Sequence, residues 1–165
     1  MISRNTIHPF IFLTLLFLLA GCTDFEAQER QAELNRQQGA AFLADNRSKA
    51  GVTVRPSGLQ YQVLREDSGP KPTISDRVSV HYRGTLIDGT EFDSSYARGE
   101  PAAFAVAGVI PGWTEGLQLM SVGSHYRLFV PSDLGYGQKG AGDQIGPNAT
   151  LIFDVELLEI VGRNK

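Results

Sequence analysis

Residues Val109–Gly123 read VIPGWTEGLQLMSVG, and their reading decides the fold. Pro111 and Gly112 stand immediately before Trp113, the only tryptophan in 165 residues. Trp113, Leu117 and Met120 fall on one helical stripe, and Gly123 stands where a C-cap belongs, so the stretch predicts one short helix. On both sides of it the apolar residues alternate with period two. Leu59, Tyr61 and Val63 form one such face, and Val78, Val80 and Tyr82 a second. Tyr126, Leu128 and Val130 form a third, and Leu151, Phe153, Val155 and Leu157 a fourth. Asp88-Gly89 reads as a tight hairpin turn before Glu91-Phe92-Asp93. One helix among several antiparallel strands is an α+β domain, and a single helix covers a sheet face only if the sheet curls around it. A tryptophan at the entrance of that helix is either ordinary core or the floor of a cavity.

The composition, 42% hydrophobic and 20% charged, supports one globular core. A net charge of -3 leaves no basic footprint, which argues against a nucleic-acid partner. At the N-terminus Arg4 precedes the apolar run FIFLTLLFLL, Phe10 to Leu19. That run is shorter than the roughly 20 residues a membrane-spanning helix needs and fits the h-region of a secretory signal. Leu19-Ala20-Gly21-Cys22 then resembles the bacterial lipobox, in which the cysteine is acylated and becomes the first mature residue. Cys22 is the only cysteine, so no intramolecular disulfide can form. Several acyl chains anchor stably where one is marginal. Residues 1–21 are thus read as a lipoprotein signal peptide, and the chain as a lipid-anchored protein of the bacterial cell envelope. Thr23 in place of Asp after the cysteine suggests the outer membrane.

Residues 22–56 are polar, with Glu26 and Arg30 at i, i+4 spacing and a short apolar patch at Ala40–Leu43. They read as a partly helical tether that stops at Gly51. Gly135–Gly140 spells G-x-G-x-x-G, but a Gly- and Pro-containing loop follows where a dinucleotide site needs a helix, so the match is set aside. His81 and His125 occupy polar-phase strand positions without metal-ligand spacing, and they read as solvated. Ser94 and Ser95 follow a carboxylate without a nucleophile-elbow turn, which makes a hydrolase reading weak. Asn148-Ala149-Thr150 is a formal glycosylation sequon of no use in a bacterial lipoprotein. What remains is a set of aromatics beside turns, where binding residues concentrate: Tyr82, Phe92, Trp113 and Tyr136.

Four segments carry a family likeness: VSVHYRGTLIDGTEFDSS, VIPGWTEGLQLMSVG, VPSDLGYG and PNATLIFDVELL. In this order and spacing they resemble the FKBP-type peptidyl-prolyl cis-trans isomerases, and the likeness runs from Ser57 to Ile160, with residues 57–165 forming the domain. The stretch GAAFLADNRSKAGVTVRPSGLQY resembles the periplasmic bacterial branch that includes the macrophage infectivity potentiator proteins. The resemblance implies a curved antiparallel sheet of five or six strands wrapped around one short helix, with a proline pocket between them. It implies Tyr82, Phe92, Asp93 and Tyr136 as the catalytic set, and Arg98, Phe104, Val109, Ile110, Trp113, Ile145 and Phe153 as substrate-binding, with Trp113 as the floor. The Ile110 N–H and the Tyr136 hydroxyl would anchor substrate carbonyls, and Asp93 would orient its neighbours without moving a proton.

Two positions depart from the family pattern. Ala102 stands where many relatives carry an aromatic, which should open one wall. Ile145-Gly146-Pro147 replaces I-P-P, which should loosen a loop over the pocket. The implied function is rotation of Xaa-Pro bonds in proline-containing, unfolded or surface-exposed polypeptides, with no metal or other cofactor. Macrolides of the tacrolimus or rapamycin type would inhibit it. A membrane-tethered chaperone or binding domain that uses the same pocket only to grip is the alternative. Only the last segment of the relatives' helical dimerisation module is recognisable, so a monomer is expected.

Overall fold

A computed structural model describes the backbone of residues 10–162 and the side chains of residues 25–162. The signal-peptide and Cys22 readings fall outside the residues whose side chains are described. Helix α1 (Phe10–Asn46) leads into strands β1 (Val52–Val54), β2 (Gln60–Arg65), β3 (Arg77–Leu86) and β4 (Glu91–Ser94). A one-turn helix α2 (Ser95–Arg98), strand β5 (Ala102–Ala105), helix α3 (Pro111–Leu119), β6 (His125–Val130) and β7 (Leu151–Ile160) follow. Every strand pairing is antiparallel, in the order β1-β2-β6-β7-β3-β4. The ten-residue β3 divides its outer edge, pairing β5 along Arg77–Val80 and β4 along Arg83–Thr85. The sheet therefore has seven strands, because β4 and β5 share one edge and β1, from the segment read as a tether, adds a three-residue ribbon.

The α+β expectation holds: one helix, α3, packs on the concave face. Pro at N1 needs no hydrogen-bond donor there and presets φ, which starts α3 at Pro111. Trp113, Leu117 and Met120 are all buried, as their single stripe requires. The helix ends at Leu119, with Met120 extended, and not at Gly123. Gly123 sits four residues on at φ +95, in the tight turn into β6 that closes on Ser121. Two glycines set how closely α3 approaches β6. A Cβ on Gly112 would lie 2.6 Å from Val130, and one on Gly116 would lie 2.7 Å from Leu128. Without side chains there, the helix backbone lies directly on the sheet. Leu117, Leu128 and Leu157 are fully buried in the resulting core, each worth roughly 1.5–3 kcal/mol.

The alternating faces at Val78–Tyr82, Tyr126–Val130 and Leu151–Leu157 all point into this core. The β2 face differs from expectation: Leu59 is buried, but Val63 is 39% exposed while Gln60 is buried. The reason is α1, which covers the opposite, convex face. Gln60 pairs in register with Phe129, so both point to that face. There the Gln60 amide donates to the Leu43 carbonyl at 2.9 Å and accepts from Asn46 at 2.9 Å, and Phe42 packs on Phe129 with ring centroids 6.0 Å apart. Residues 25–46 of the segment read as a tether are thus a docked helix. The G-x-G-x-x-G segment opens no long helix: a single 3-10 turn, Gly137–Lys139, is followed by the Ala141–Ile145 bridge.

Candidate active site

The cavity between α3 and the sheet takes its floor from Trp113, which is only 4% exposed. The rings of Tyr82, Phe104 and Phe153 stand nearly perpendicular to the indole plane, at 89°, 83° and 83°, with centroids 5.2–5.5 Å away. Phe92 stands edge-on to Phe153 at 5.5 Å. Edge-to-face contacts of this kind suit the ring quadrupoles and add roughly 0.5–1.5 kcal/mol per pair beyond the area buried. Gly84 makes the arrangement possible, since a Cβ there would lie 2.6 Å from Phe92 and 2.9 Å from Phe153. The space enclosed is about 710 Å³.

The polar side of the cavity is one network. The Tyr82 hydroxyl donates to Asp93 Oδ2, and Arg98 Nη1 donates to Asp93 Oδ1. Arg98 Nη2 also donates to the Tyr82 hydroxyl at 3.0 Å, while its guanidinium lies 5.5 Å from the centre of the Tyr82 ring. Partial burial by itself would raise the Asp93 carboxyl, but the hydrogen bonds from Tyr82 and Arg98 outweigh it and hold it below the usual carboxylate range. Burial, and then the hydrogen bond to Asp93, push the Tyr82 hydroxyl up. At neutral pH the pair is therefore a charged carboxylate and a protonated phenol. Neither is poised to exchange a proton.

The structure brings ten of the eleven expected pocket residues to the cavity wall: Tyr82, Phe92, Asp93, Phe104, Val109, Ile110, Trp113, Tyr136, Ile145 and Phe153. Arg98 is outside the lining and reaches the site through Asp93 and Tyr82. Tyr136 is 41% exposed at the rim, and Ile145 is 8% exposed in the opposite loop. Ala102 and Gly146 do not line the cavity; Ala102 lies in β5 opposite Val80, and the wall at that edge is Phe104. Reasoning from residue types missed Gly108, Ala141, Gly142, Asp143 and Gln144, which also line it. Their only signal was membership of Gly-rich loops, which does not say what a loop covers.

Sequence reasoning also missed what Ser95 does. It is fully buried, and its Oγ accepts from the Tyr82 N–H at 2.8 Å, with the Tyr82 carbonyl 3.2 Å away. His81 Nδ1 joins the same oxygen at 3.0 Å, and its ring stacks on Tyr96 at 4.7 Å. The serine thus fixes the backbone that carries Tyr82, while Ser94 caps α2 by accepting from Ala97 N–H. The two histidines are not simply solvated: His81 has these partners, and His125 Nε2 is buried with no partner among the described residues. Among the described residues no group of three or more His, Cys, Asp or Glu could hold a metal ion.

A curved antiparallel sheet closed on one helix leaves between them an aromatic box whose lining carries no serine, cysteine or lysine and whose shape suits a compact apolar ring. Comparison with known proteins places the chain in a family. Residues 69–158 match the FKBP-type peptidyl-prolyl cis-trans isomerases, and residues 22–63 match the domain amino terminal to FKBP-type peptidyl-prolyl isomerase. The chain is 54% identical over 131 residues to the outer membrane protein MIP of Legionella longbeachae, covering 79% of this chain and 56% of that one. It is 52% identical over 143 residues to the FKBP-type 22 kDa peptidyl-prolyl cis-trans isomerase of Escherichia coli, covering 82% and 69%. The crystal structure of FkpA from Escherichia coli superposes with a TM-score of 0.86 at 41% identity, covering 95% of this chain and 75% of that one. The chain belongs to the FKBP-type peptidyl-prolyl cis-trans isomerase family. It spans about half the length of the first curated relatives it matches.

Proposed function

We propose that this chain catalyses cis-trans isomerisation of Xaa-Pro bonds in proline-containing polypeptides, without a covalent intermediate. The observation that carries the reading is the buried Trp113 at the floor of an aromatic box large enough, at about 710 Å³, for a prolyl ring and its neighbours. Rotation about a peptide bond faces a barrier of about 18–20 kcal/mol, and for Xaa-Pro it takes tens to hundreds of seconds. No bond to carbon is made, so no nucleophile is needed. The planar amide is stabilised by charge separation, with oxygen negative and nitrogen positive. At the twisted transition state that separation is largely lost. An apolar, water-poor box therefore disfavours the planar state more than the twisted one, which is differential binding of the transition state.

In this reading Trp113, Phe92, Tyr82 and Phe153 hold the pyrrolidine, with Phe104, Val109 and Ile145 completing the walls. The Ile110 N–H, which has no backbone partner among the described residues, anchors one substrate carbonyl, and the Tyr136 hydroxyl at the rim anchors another. Asp93, held charged by Tyr82 and Arg98, fixes the field on the polar side. The same box is the binding site for tacrolimus- or rapamycin-type macrolides.

The name of the Legionella relative supports an envelope location for this chain. The lipobox supports anchoring through Cys22 after removal of residues 1–21, at the outer membrane and facing clients that fold in the envelope. The proposed form is a monomer, with Phe42 of α1 engaged on its own sheet. The deciding experiment is turnover of a proline tetrapeptide alongside Trp113 fluorescence. Acceleration of isomerisation, with a saturable emission change on adding a macrolide at a midpoint equal to its inhibition constant, is the expected result. An emission change without turnover would leave a binding domain. Emission indifferent to a saturating ligand would return Trp113 to ordinary core.

A further inference from the structure

The wall opposite the aromatic box is a loop with little stiffness of its own. Between Tyr136 and Thr150 it contains four glycines, and Gly137, Gly140 and Gly142 adopt positive φ. Within the loop, Ala141 and Ile145 exchange backbone hydrogen bonds at 2.9 and 3.1 Å, and Asn148 N–H donates to the Gly137 carbonyl at 2.8 Å. These bonds tie the loop to itself, and Ile145, with Ala141 and Ala149 beside it, seats the loop on the core by apolar packing. Two further bonds tie it to α1. Asn35 Nδ2 donates to the Pro147 carbonyl at 2.7 Å, and Asn148 Nδ2 donates to the Ala32 carbonyl at 3.2 Å.

Three details mark these bonds as a built contact. Gln31 Nε2 donates to Asn35 Oδ1 at 2.8 Å, which turns the Asn35 amide so that its NH₂ faces the loop. Gly146 leaves room for that amide, since a Cβ there would lie 3.0 Å from Asn35 Nδ2. Asn148 is the one non-glycine residue with positive φ among the described residues, at 57°, a left-handed turn that Asn enters more readily than other side chains and that here accompanies its amide's bond to Ala32. Farther along α1, Gly39 lies against Thr150, where a Cβ would come within 2.3 Å of Oγ1. The helix therefore touches the loop at Pro147 and Asn148 and again where it enters β7.

We infer that α1 is a brace for the pocket: Gln31 and Asn35 on the helix, and Asn148 on the loop, are positioning residues that hold the Ile145 wall against the bound proline. The inference builds on the isomerase reading. It gives the upstream helix a role in substrate affinity, carried by amides that touch no substrate.

The test compares the full chain with Asn35→Ala, which leaves the loop sequence intact and is the deciding variant, and with Asn148→Gly, which accommodates the left-handed backbone and removes the side-chain bond but adds backbone freedom of its own. Amide hydrogen exchange of residues 141–148 should speed up in both, while that of β3 and β7 stays unchanged. Peptide affinity read by Trp113 emission should weaken about three- to ten-fold, the loss expected for one hydrogen bond. The same factor should appear in kcat/KM on a proline tetrapeptide, through KM with kcat held. Gly146→Pro, which fixes φ, should recover most of this loss in the Asn35→Ala background. Unchanged exchange in the loop, or affinity that falls only in step with the thermal midpoint, would overturn the brace. If the unmodified chain shows no turnover, the isomerase reading fails separately, and exchange and emission still judge the brace.

Discussion

Phe92 and Asp93 adjoin in β4, yet they act on the pocket by different physics. Phe92 is half-buried and contributes a wall through its contact with Phe153. Phe92→Ala should cut kcat/KM by more than about ten-fold while the thermal midpoint moves by a few degrees at most, because the lost area faces the cavity more than the core. A well-folded variant with near-full turnover would contradict this placement. Asp93 instead acts through charge. Its carboxyl is held below the usual range by Tyr82 and Arg98 against the effect of burial. A group whose folded pKa is depressed stabilises fully above its unfolded value and loses that contribution as the pH falls through the folded one. The gap in thermal midpoint between the parent chain and Asp93→Asn should therefore be constant from about pH 8 to 5 and close below about pH 4. A gap that stays open under acid would mean that the carboxylate is not what stabilises the network. With its side chain 40% exposed, the contribution is modest.

At the scale of elements, the seating of α3 decides the depth of the pocket. Gly112 lies 2.6 Å, measured from a hypothetical Cβ, from the stiff β-branched Val130. Gly112→Ala should cost about 1–2 kcal/mol by overpacking, more than the small gain in helix propensity at the second helical position. Because Trp113 follows directly, the displaced helix should also shift the indole emission. A variant as stable as the parent, with unchanged emission, would show that the helix has slack against β6. The strands of β3, β6 and β7 were legible in the sequence because one face of each is apolar and period two cannot be mistaken over four or more residues. Strand β2 was not, because Gln60 is buried by a helix remote in sequence, and a polar residue satisfied by Leu43 and Asn46 looks solvent-facing until those partners are in place. Most of the aromatic box was legible through the family likeness. Arg98 was placed in it by the same likeness, and only the side-chain geometry assigns it a place behind Asp93.

For the whole molecule, the lipid anchor and the state of association are the measurable expectations. Cys22→Ser should move the protein from the membrane to the soluble fraction or stall removal of residues 1–21. Unchanged fractionation and mature mass would sink the lipobox reading. The unacylated mature chain should sediment as a monomer at micromolar concentration, since the Phe42 face of α1 is engaged by Phe129 of the same chain. A concentration-independent dimer mass would require a different face of the helix to be the interface. Among the described residues no helix is long and apolar enough to cross a membrane.

What the sequence determined by itself were the properties that local chemistry imposes: alternation that makes half-buried strands, Pro and Gly that start α3, and an apolar stripe that faces it inward. These depend on residues within a few positions of one another. The tertiary structure alone decided the properties that depend on which distant segments meet. It placed Ser95 under the backbone of Tyr82, Gly84 beneath the Phe92 and Phe153 rings, and Asn35 against Pro147, 112 residues away in sequence. Hydrogen bonds and close approaches between remote segments leave no periodic trace, because each needs only one suitable residue on either side. The helix read as a tether became part of the pocket's support for that reason.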